Sequence, residues 1–178
     1  MILSDSEILK AVERGDIVIT PFKKEMLGSN SYDVHLSKHL AQYTDDILDA
    51  KKHNEVNHFE IPQDGFVLMP GELYLGSTQE YTETHKHVPF LEGKSSTGRL
   101  GIDIHATAGK GDVGFCGYWT LEISVSKPVR VYEGMPIGQL IYYVVEGNTM
   151  NPYNKKVSAK YSGQQELPKE SMMWKNKF

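Results

Sequence analysis

Tyr118-Trp119-Thr120-Leu121-Glu122-Ile123-Ser124-Val125-Ser126 changes between apolar and polar side chains at every step from Trp119 to Ser126. In an extended chain successive side chains point to opposite faces, so Trp119, Leu121, Ile123 and Val125 face one way and Thr120, Glu122 and Ser124 the other. The segment is predicted to be a strand with one core-facing side. Similar short runs lie at 17–20, 31–36, 66–69, 73–77, 101–107, 129–132 and 138–145, with Pro70-Gly71 and Glu133-Gly134 as turns between them. The pattern predicts a mainly β sandwich or barrel-like fold. The exception is the start, where Ser4-Asp5-Ser6-Glu7 has the form of a capping box. Ile8, Leu9 and Val12 follow at helical spacing, and Gly15 is placed to end the helix in a left-handed conformation.

A chain of 178 residues accommodates one domain with a substantial core, and 1–178 is read as one unit. Hydrophobic residues at 39% and charged residues at 24% describe a chain that folds. A formal charge of −4 argues against a polynucleotide partner, which calls for a basic face. The lone Cys116 allows neither an internal disulfide nor a cysteine-rich metal site, which fits a reducing compartment. With no secretion signal and no apolar run long enough to span a bilayer, a cytoplasmic protein without membrane association is expected. Residues 42–57 are polar and aperiodic, read as an irregular excursion with no assigned chemistry. From Pro152 the chain is rich in Lys, Ser and Gln yet keeps Tyr153, Tyr161, Met172, Met173, Trp174 and Phe178, a tail expected to order on a ligand or a neighbouring subunit.

Three constellations carry possible chemistry. Gly93-Lys94-Ser95-Ser96-Thr97-Gly98-Arg99 gathers two cations and three hydroxyls, suited to an anion but equally to a solvated turn. If it is helical, Ser95 and Arg99 share a face. A nucleotide-triphosphatase loop is excluded, because Val88 stands where its first glycine belongs. Glu122, on the polar side of its strand, is either a solvated surface group or an enclosed carboxylate able to shuttle protons. Asp112 lies among Gly109, Gly111, Gly114 and Gly117, in a loop that lets backbone approach a ring or sugar, or else in an ordinary turn. The histidines yield no convincing metal pair. His35 is expected at the end of a strand, where a spacing of four does not bring it to His39, and Thr84 to Val88 reads as an exposed turn around His85 and His87. A zinc nucleobase deaminase needs more cysteines than this chain has, so no protein-bound metal and no zinc are expected.

The block 93–101 resembles the Gly-Arg-Ser-Ser-x-x-Arg-Leu-Gly element of dCTP deaminases, of the dUTPase-like superfamily. Thr107-Ala108-Gly109, Asp112-x-Gly-Phe-x-Gly117 and Thr120-Leu121-Glu122 are similar to its central segment. Gly134-Met135-x-Ile-Gly-Gln-Leu140, Pro152-Tyr153 and Lys160-Tyr-x-Gly-Gln164 are similar to its later signatures, and Ser31 to Leu36 and Pro70 to Leu73 also fit. The resemblance implies a distorted β-barrel or jelly-roll subunit with a short N-terminal helix, assembled as a homotrimer with active sites at subunit interfaces. It implies Glu122 as general base, with Ser95 and Arg99 placing water and base. Lys94, Ser96, Lys160 and Gln164 are then expected on phosphates, Asp112 on the sugar 3′-hydroxyl, Thr120 on the base and Tyr153 on the sugar or base, under a tail (152–178) that closes over the site. Lys94 replaces the usual Arg, which costs a bidentate fork. Thr107-Ala108-Gly109 is similar to the branch that converts dCTP through dUTP to dUMP, the precursor of dTMP; Lys110 departs from the hydrophobic residue common there. Alternatives are a deaminase releasing dUTP, a plain dUTPase, or a nucleotide sensor. Magnesium is expected with the triphosphate, and dTTP as feedback inhibitor.

Overall fold

In a computed structural model that describes residues 1–177, the alternating segment forms strand β10 (Thr120–Val125). Leu121 and Ile123 are fully buried, with Trp119 and Val125 nearly so, while Thr120, Glu122 and Ser124 are half-buried on the opposite side. β10 lies between β5 (Tyr74–Thr78), where Glu122 faces Leu75 across the ladder, and the two-residue β8 (Ile102–Asp103). All five residues of β5 are buried. Gly76 is there because a Cβ would sit 2.8 Å from Ile123 Cδ1.

The longest strand, β2 (Tyr32–Tyr43), pairs with β5, with β3 (Val56–Glu60) and with β12 (Pro136–Val144), whose far side takes β7 (His87–Gly93). The principal sheet therefore runs β7-β12-β2-β5-β10-β8, with β3 beside β2. A second sheet joins β1 (Ile17–Thr20), β6 (Tyr81–Thr84) and β9 (Cys116–Gly117), and a two-stranded piece joins β4 (Phe66–Leu68) to β11 (Val129–Val131). Together they wrap into a nearly closed, distorted barrel, mainly β, as expected. Helix α1 (Asp5–Glu13) buries Ile8 and Ala11 in the core, and Gly15 ends it with φ +72°. The capping box is only half made. Ser4 Oγ accepts from the Glu7 amide, but the Glu7 carboxylate turns to Lys10 Nζ at 2.7 Å instead of reaching back. Among the described residues no helix is long and apolar enough to cross a membrane.

Four differences from the sequence reading have physical causes. The strand expected at 101–107 is regular only at Ile102–Asp103; Ile104 O still accepts from Glu122 N at 2.9 Å, after which the chain crosses to β7, where Leu91 donates to Gly109 O at 2.7 Å and Gly111 to Pro89 O at 2.8 Å. β6 escaped notice because its inward side chains are Thr82 and Thr84 rather than aliphatic, with Trp119 Nε1 donating to Thr82 Oγ1 at 2.9 Å. The turn expected at 84–88 is exposed only at His85 and Lys86, since Thr84 and His87 are buried; His35 lies inside β2 bonded to Glu80, Nδ1 to Oε1 at 2.6 Å. The excursion at 42–57 is irregular only between β2 and β3, where buried Asn54 accepts from the Asp49 amide and donates to the carbonyls of Asp49 and Lys52.

The alternation in β10 predicts that Leu121→Ala lowers stability by about 2–5 kcal/mol, the usual cost of emptying a sealed core position. Urea denaturation checks this; a loss within roughly 0.5 kcal/mol, the surface range, contradicts that seat.

Candidate active site

The polar side of β10 forms one wall of a cavity of about 480 Å³. Glu122 and Thr120 reach it from β10, Leu73 and Leu75 from β5 and the segment before it, and Tyr43 from the end of β2. Leu48, from the excursion that carried no assigned chemistry, adds an apolar rim. Glu122 is half-buried there. Desolvation by these neighbours pushes its carboxyl above the ordinary value, outweighing a hydrogen bond from the Ala106 amide and the proximity of His105.

The glycine-rich loop supplies the facing wall through Gly111, Asp112 and Phe115. Gly111 has no room for a side chain, since a Cβ would lie 2.6 Å from the Trp119 ring. Lys110 Nζ lies 2.7 Å from Asp112 Oδ1 and Lys156 Nζ 3.7 Å from Oδ2. These amines, Lys110 first, hold the Asp112 carboxyl below its usual range. Neither lysine was singled out for this role from the sequence.

The tail roofs the cavity with Tyr153, Tyr161, Gln164, Lys169 and Ser171. Its amides find side-chain oxygens on the barrel: Lys169 N donates to Thr120 Oγ1 at 3.0 Å and Ser171 N to Tyr43 Oη at 3.0 Å. Gln164 Nε2 also donates to Thr120 Oγ1, and Gln164 O accepts from the Tyr118 amide at 3.1 Å. The tail thus packs against its own chain, the Trp174 ring meets the His53 ring edge-on, and Phe178 lies outside the described residues.

The remaining expected residues lie elsewhere. Lys94 and Ser95 line a separate cleft with Asp103, Ile104 and His105, at the start of helix α2 (Ser95–Arg99). Arg99 Nη1 donates to Ser95 O at 3.2 Å, as their spacing implied, and Lys94 Nζ is paired with Asp33. Ser96, Arg99, Thr107 and Ala108 are exposed. Lys160 is bonded to Asn176 beside the tail and does not line the Glu122 cavity. Gly109 is buried, with a Cβ position 2.5 Å from Leu91 O and 2.9 Å from His105 Nε2. His105, overlooked in the sequence because it stands alone, connects the two regions. It lines the Ser95 cleft and acts electrostatically on Glu122, and its Nδ1 is buried with no hydrogen-bond partner among the described residues.

A carboxyl of raised proton affinity thus faces a cavity of about 480 Å³, with amines at its rim, on a distorted β-barrel. The profile of the dCTP deaminase-like family matches residues 2–145, and the chain belongs to that family. It is 47% identical over 176 residues to a protein of Clostridium botulinum (strain Alaska E43 / Type E3) named dCTP deaminase, dUMP-forming, covering 99% of this chain and 98% of that relative. A protein of the same name from Cytophaga hutchinsonii is 50% identical over 161 residues, 90% of each chain. The crystal structure of 2′-deoxycytidine 5′-triphosphate deaminase from Agrobacterium tumefaciens shares the fold, with a TM-score of 0.64 at 21% identity. That match covers 83% of this chain, which spans about half (49%) of that one.

Two titrations follow from the geometry. The Glu122 carboxyl carbon, followed by NMR, titrates with a midpoint above the ordinary 4.5; a midpoint at or below that value contradicts its enclosure. Lys110→Met releases Asp112, whose midpoint rises toward the ordinary 3.8.

Proposed function

We propose that the protein deaminates dCTP and carries the product on to dUMP, with Glu122 as general base. The observation that carries this reading is an enclosed carboxyl with a raised proton affinity at the wall of a cavity bounded by the Asp112 loop and the tail. Glu122 takes a proton from a water whose oxygen attacks C4 of the cytosine ring, delivers a proton to the ring nitrogen, and assists departure of ammonia from the tetrahedral intermediate. Water and dCTP thereby give dUTP and ammonia. A second water then releases pyrophosphate and leaves dUMP.

The family membership and the two near-full-length relatives named dUMP-forming support both steps. Gly109 supports the second, because the packed site between Leu91 and His105 leaves no space for the bulkier residue of the dUTP-releasing branch. Ser95 and Arg99 are proposed to place water and base from a neighbouring subunit. Their exposure on α2, away from the Glu122 cavity of their own chain, favours a homotrimer with shared sites. Asp112 accepts the sugar 3′-hydroxyl once Lys110 swings away, Thr120 and Tyr153 hold base and sugar, and Lys94, Ser96, Lys160 and Gln164 take phosphates. Magnesium enters on the triphosphate as part of the substrate; Asp112, already engaged by two lysines, and Glu122 are the carboxylates of this cavity, and they do not form a cage for the ion. No zinc takes part in the attack. Feedback by dTTP at the same site and a cytoplasmic location complete the reading.

Incubation of the purified chain with dCTP and Mg²⁺ is expected to yield dUMP, ammonia and pyrophosphate in equal amounts. Accumulation of dUTP without pyrophosphate removes the second step, and hydrolysis of dUTP with dCTP untouched removes the first. Glu122→Gln is expected to lower deamination by about 10²–10⁴-fold while nucleotide still binds. Because the base form is required, kcat/KM of the wild type falls as pH drops through the raised Glu122 midpoint. Ending the chain after Pro152 removes Lys160 and Gln164 and raises KM by about tenfold or more, as loss of a charge-assisted contact implies; an unchanged KM removes the proposed tail role.

A further inference from the structure

Away from the cavity, the outward face of the second sheet carries a group of ligand-bearing side chains that the proposed deamination does not use. Strand parity puts Tyr81 and Glu83 on one side of β6 and Thr82 and Thr84 on the buried side, and His85 follows the strand with its ring against Glu83. Directly across the ladder from Glu83 stands Cys116 of β9. Cross-strand partners present their side chains to the same face, so the juxtaposition follows from register and not from chance side-chain placement.

The result is a carboxylate oxygen, an imidazole nitrogen and a thiol sulfur all within 4.8 Å of one another. His85 Nε2 lies 2.9 Å from Glu83 Oε2, and Tyr81 Oη donates to the other carboxylate oxygen at 2.9 Å. Tyr81 is itself held edge-on by the Tyr118 ring, centroids 5.6 Å apart. The carboxylate is thus oriented by an outer hydrogen bond and presents its free side to His85, an arrangement typical of the support around metal ligands. His85 is accessible, and Glu83 and Cys116 are half-buried, which leaves an open side for solvent.

We propose that Glu83, His85 and Cys116 bind one divalent transition-metal ion of zinc's class, with water as the fourth ligand. Mixed nitrogen and sulfur donors disfavour magnesium and calcium and suit zinc or cobalt. Ligand atoms about 2.0–2.3 Å from a tetrahedral ion stand roughly 3.3–3.7 Å apart, so binding replaces the 2.9 Å hydrogen bond between His85 and Glu83 and turns the Cys116 thiol toward the ion. Binding replaces the thiol proton by the metal and releases it to solvent. Pairing His85 with His87 from sequence spacing hid this site, since His87 is buried and the partner in space is Cys116.

The position gives the ion a structural consequence. The Cys116 carbonyl accepts from Gly163 N at 2.8 Å, and Gly117 is bridged to Gln164. A metal clamp between β6 and β9 thus fixes the strand on which the tail is anchored, without touching Glu122.

The test uses the full-length protein, stripped with a chelator and titrated with Co²⁺ and then Zn²⁺. One equivalent of Co²⁺ is expected to give a thiolate-to-metal charge-transfer band together with the visible bands of a tetrahedral ion. Cys116→Ser abolishes the charge-transfer band, and His85→Gln weakens Zn²⁺ binding about tenfold or more, measured by competition with an indicator. Zn²⁺ also slows alkylation of Cys116 by iodoacetamide in the unmodified protein, a readout that needs no variant. Absence of the charge-transfer band, equal affinity in the variants, or alkylation at the same rate with and without Zn²⁺ overturns the proposal.

Discussion

The seating of β10 constrains everything else in this molecule. Its apolar side is committed to the core through Leu121 and Ile123, so its polar side must look outward at the one place where β5, the Asp112 loop and the tail leave a hollow. A one-residue slip of register would exchange the two faces and bury Glu122 among aliphatic side chains. The same packing that stabilises the barrel therefore sets the solvation of the carboxyl. Desolvation raises its proton affinity, and the Ala106 amide keeps the charged form attainable.

The tail depends on that face as well. Thr120, two residues from Glu122 and on the same side, receives both the Lys169 amide and the Gln164 amide group. Tyr43 and Tyr161 accept the amides of Ser171 and Met172. These are mostly single hydrogen bonds from backbone to side-chain oxygens, each worth about 0.5–1.5 kcal/mol net, and few tail residues are buried. A segment held in this way opens at lower cost than the barrel does, which is the property a cover over a binding cavity requires.

Legibility in the sequence followed the physics of each element. β10, β1, β4, β5 and β11 were readable because aliphatic side chains carry their patterns, and α1 because Gly15 and Ser4 punctuate it. β6 was not, since threonines fill its inner side; nor was β3, an edge strand with little of its surface buried. At the site, Glu122 stood out as the lone carboxylate in a buried-looking strand, and Asp112 through its glycines. The assembly of Asp112, Thr120, Tyr153 and Gln164 with it came from the order of family-like blocks, not from local pattern. Lys110, His105 and Leu48 were invisible as contributors because their roles arise from chain crossings that bring distant segments together, which periodicity does not encode.

The lysines around the proposed site are paired within the chain. Lys110 and Lys156 rest on Asp112, Lys94 on Asp33, Lys160 on Asn176, and Lys169 lies 3.6 Å from Glu170. Of these, Lys110 and Lys169 line the Glu122 cavity, where their pairing neutralises the rim of a chain of net charge −4. The pairs are partly exposed, and such pairs contribute at most about 1 kcal/mol each, so exchanging a carboxylate for a phosphate oxygen costs little. Asp112 gains by the exchange. Released from Lys110, its carboxylate is free to accept a hydroxyl, as the proposed sugar contact requires. On the proposed reading Lys110 therefore controls access to the sugar-binding carboxylate, because the amine that neutralises Asp112 is the one that must leave it.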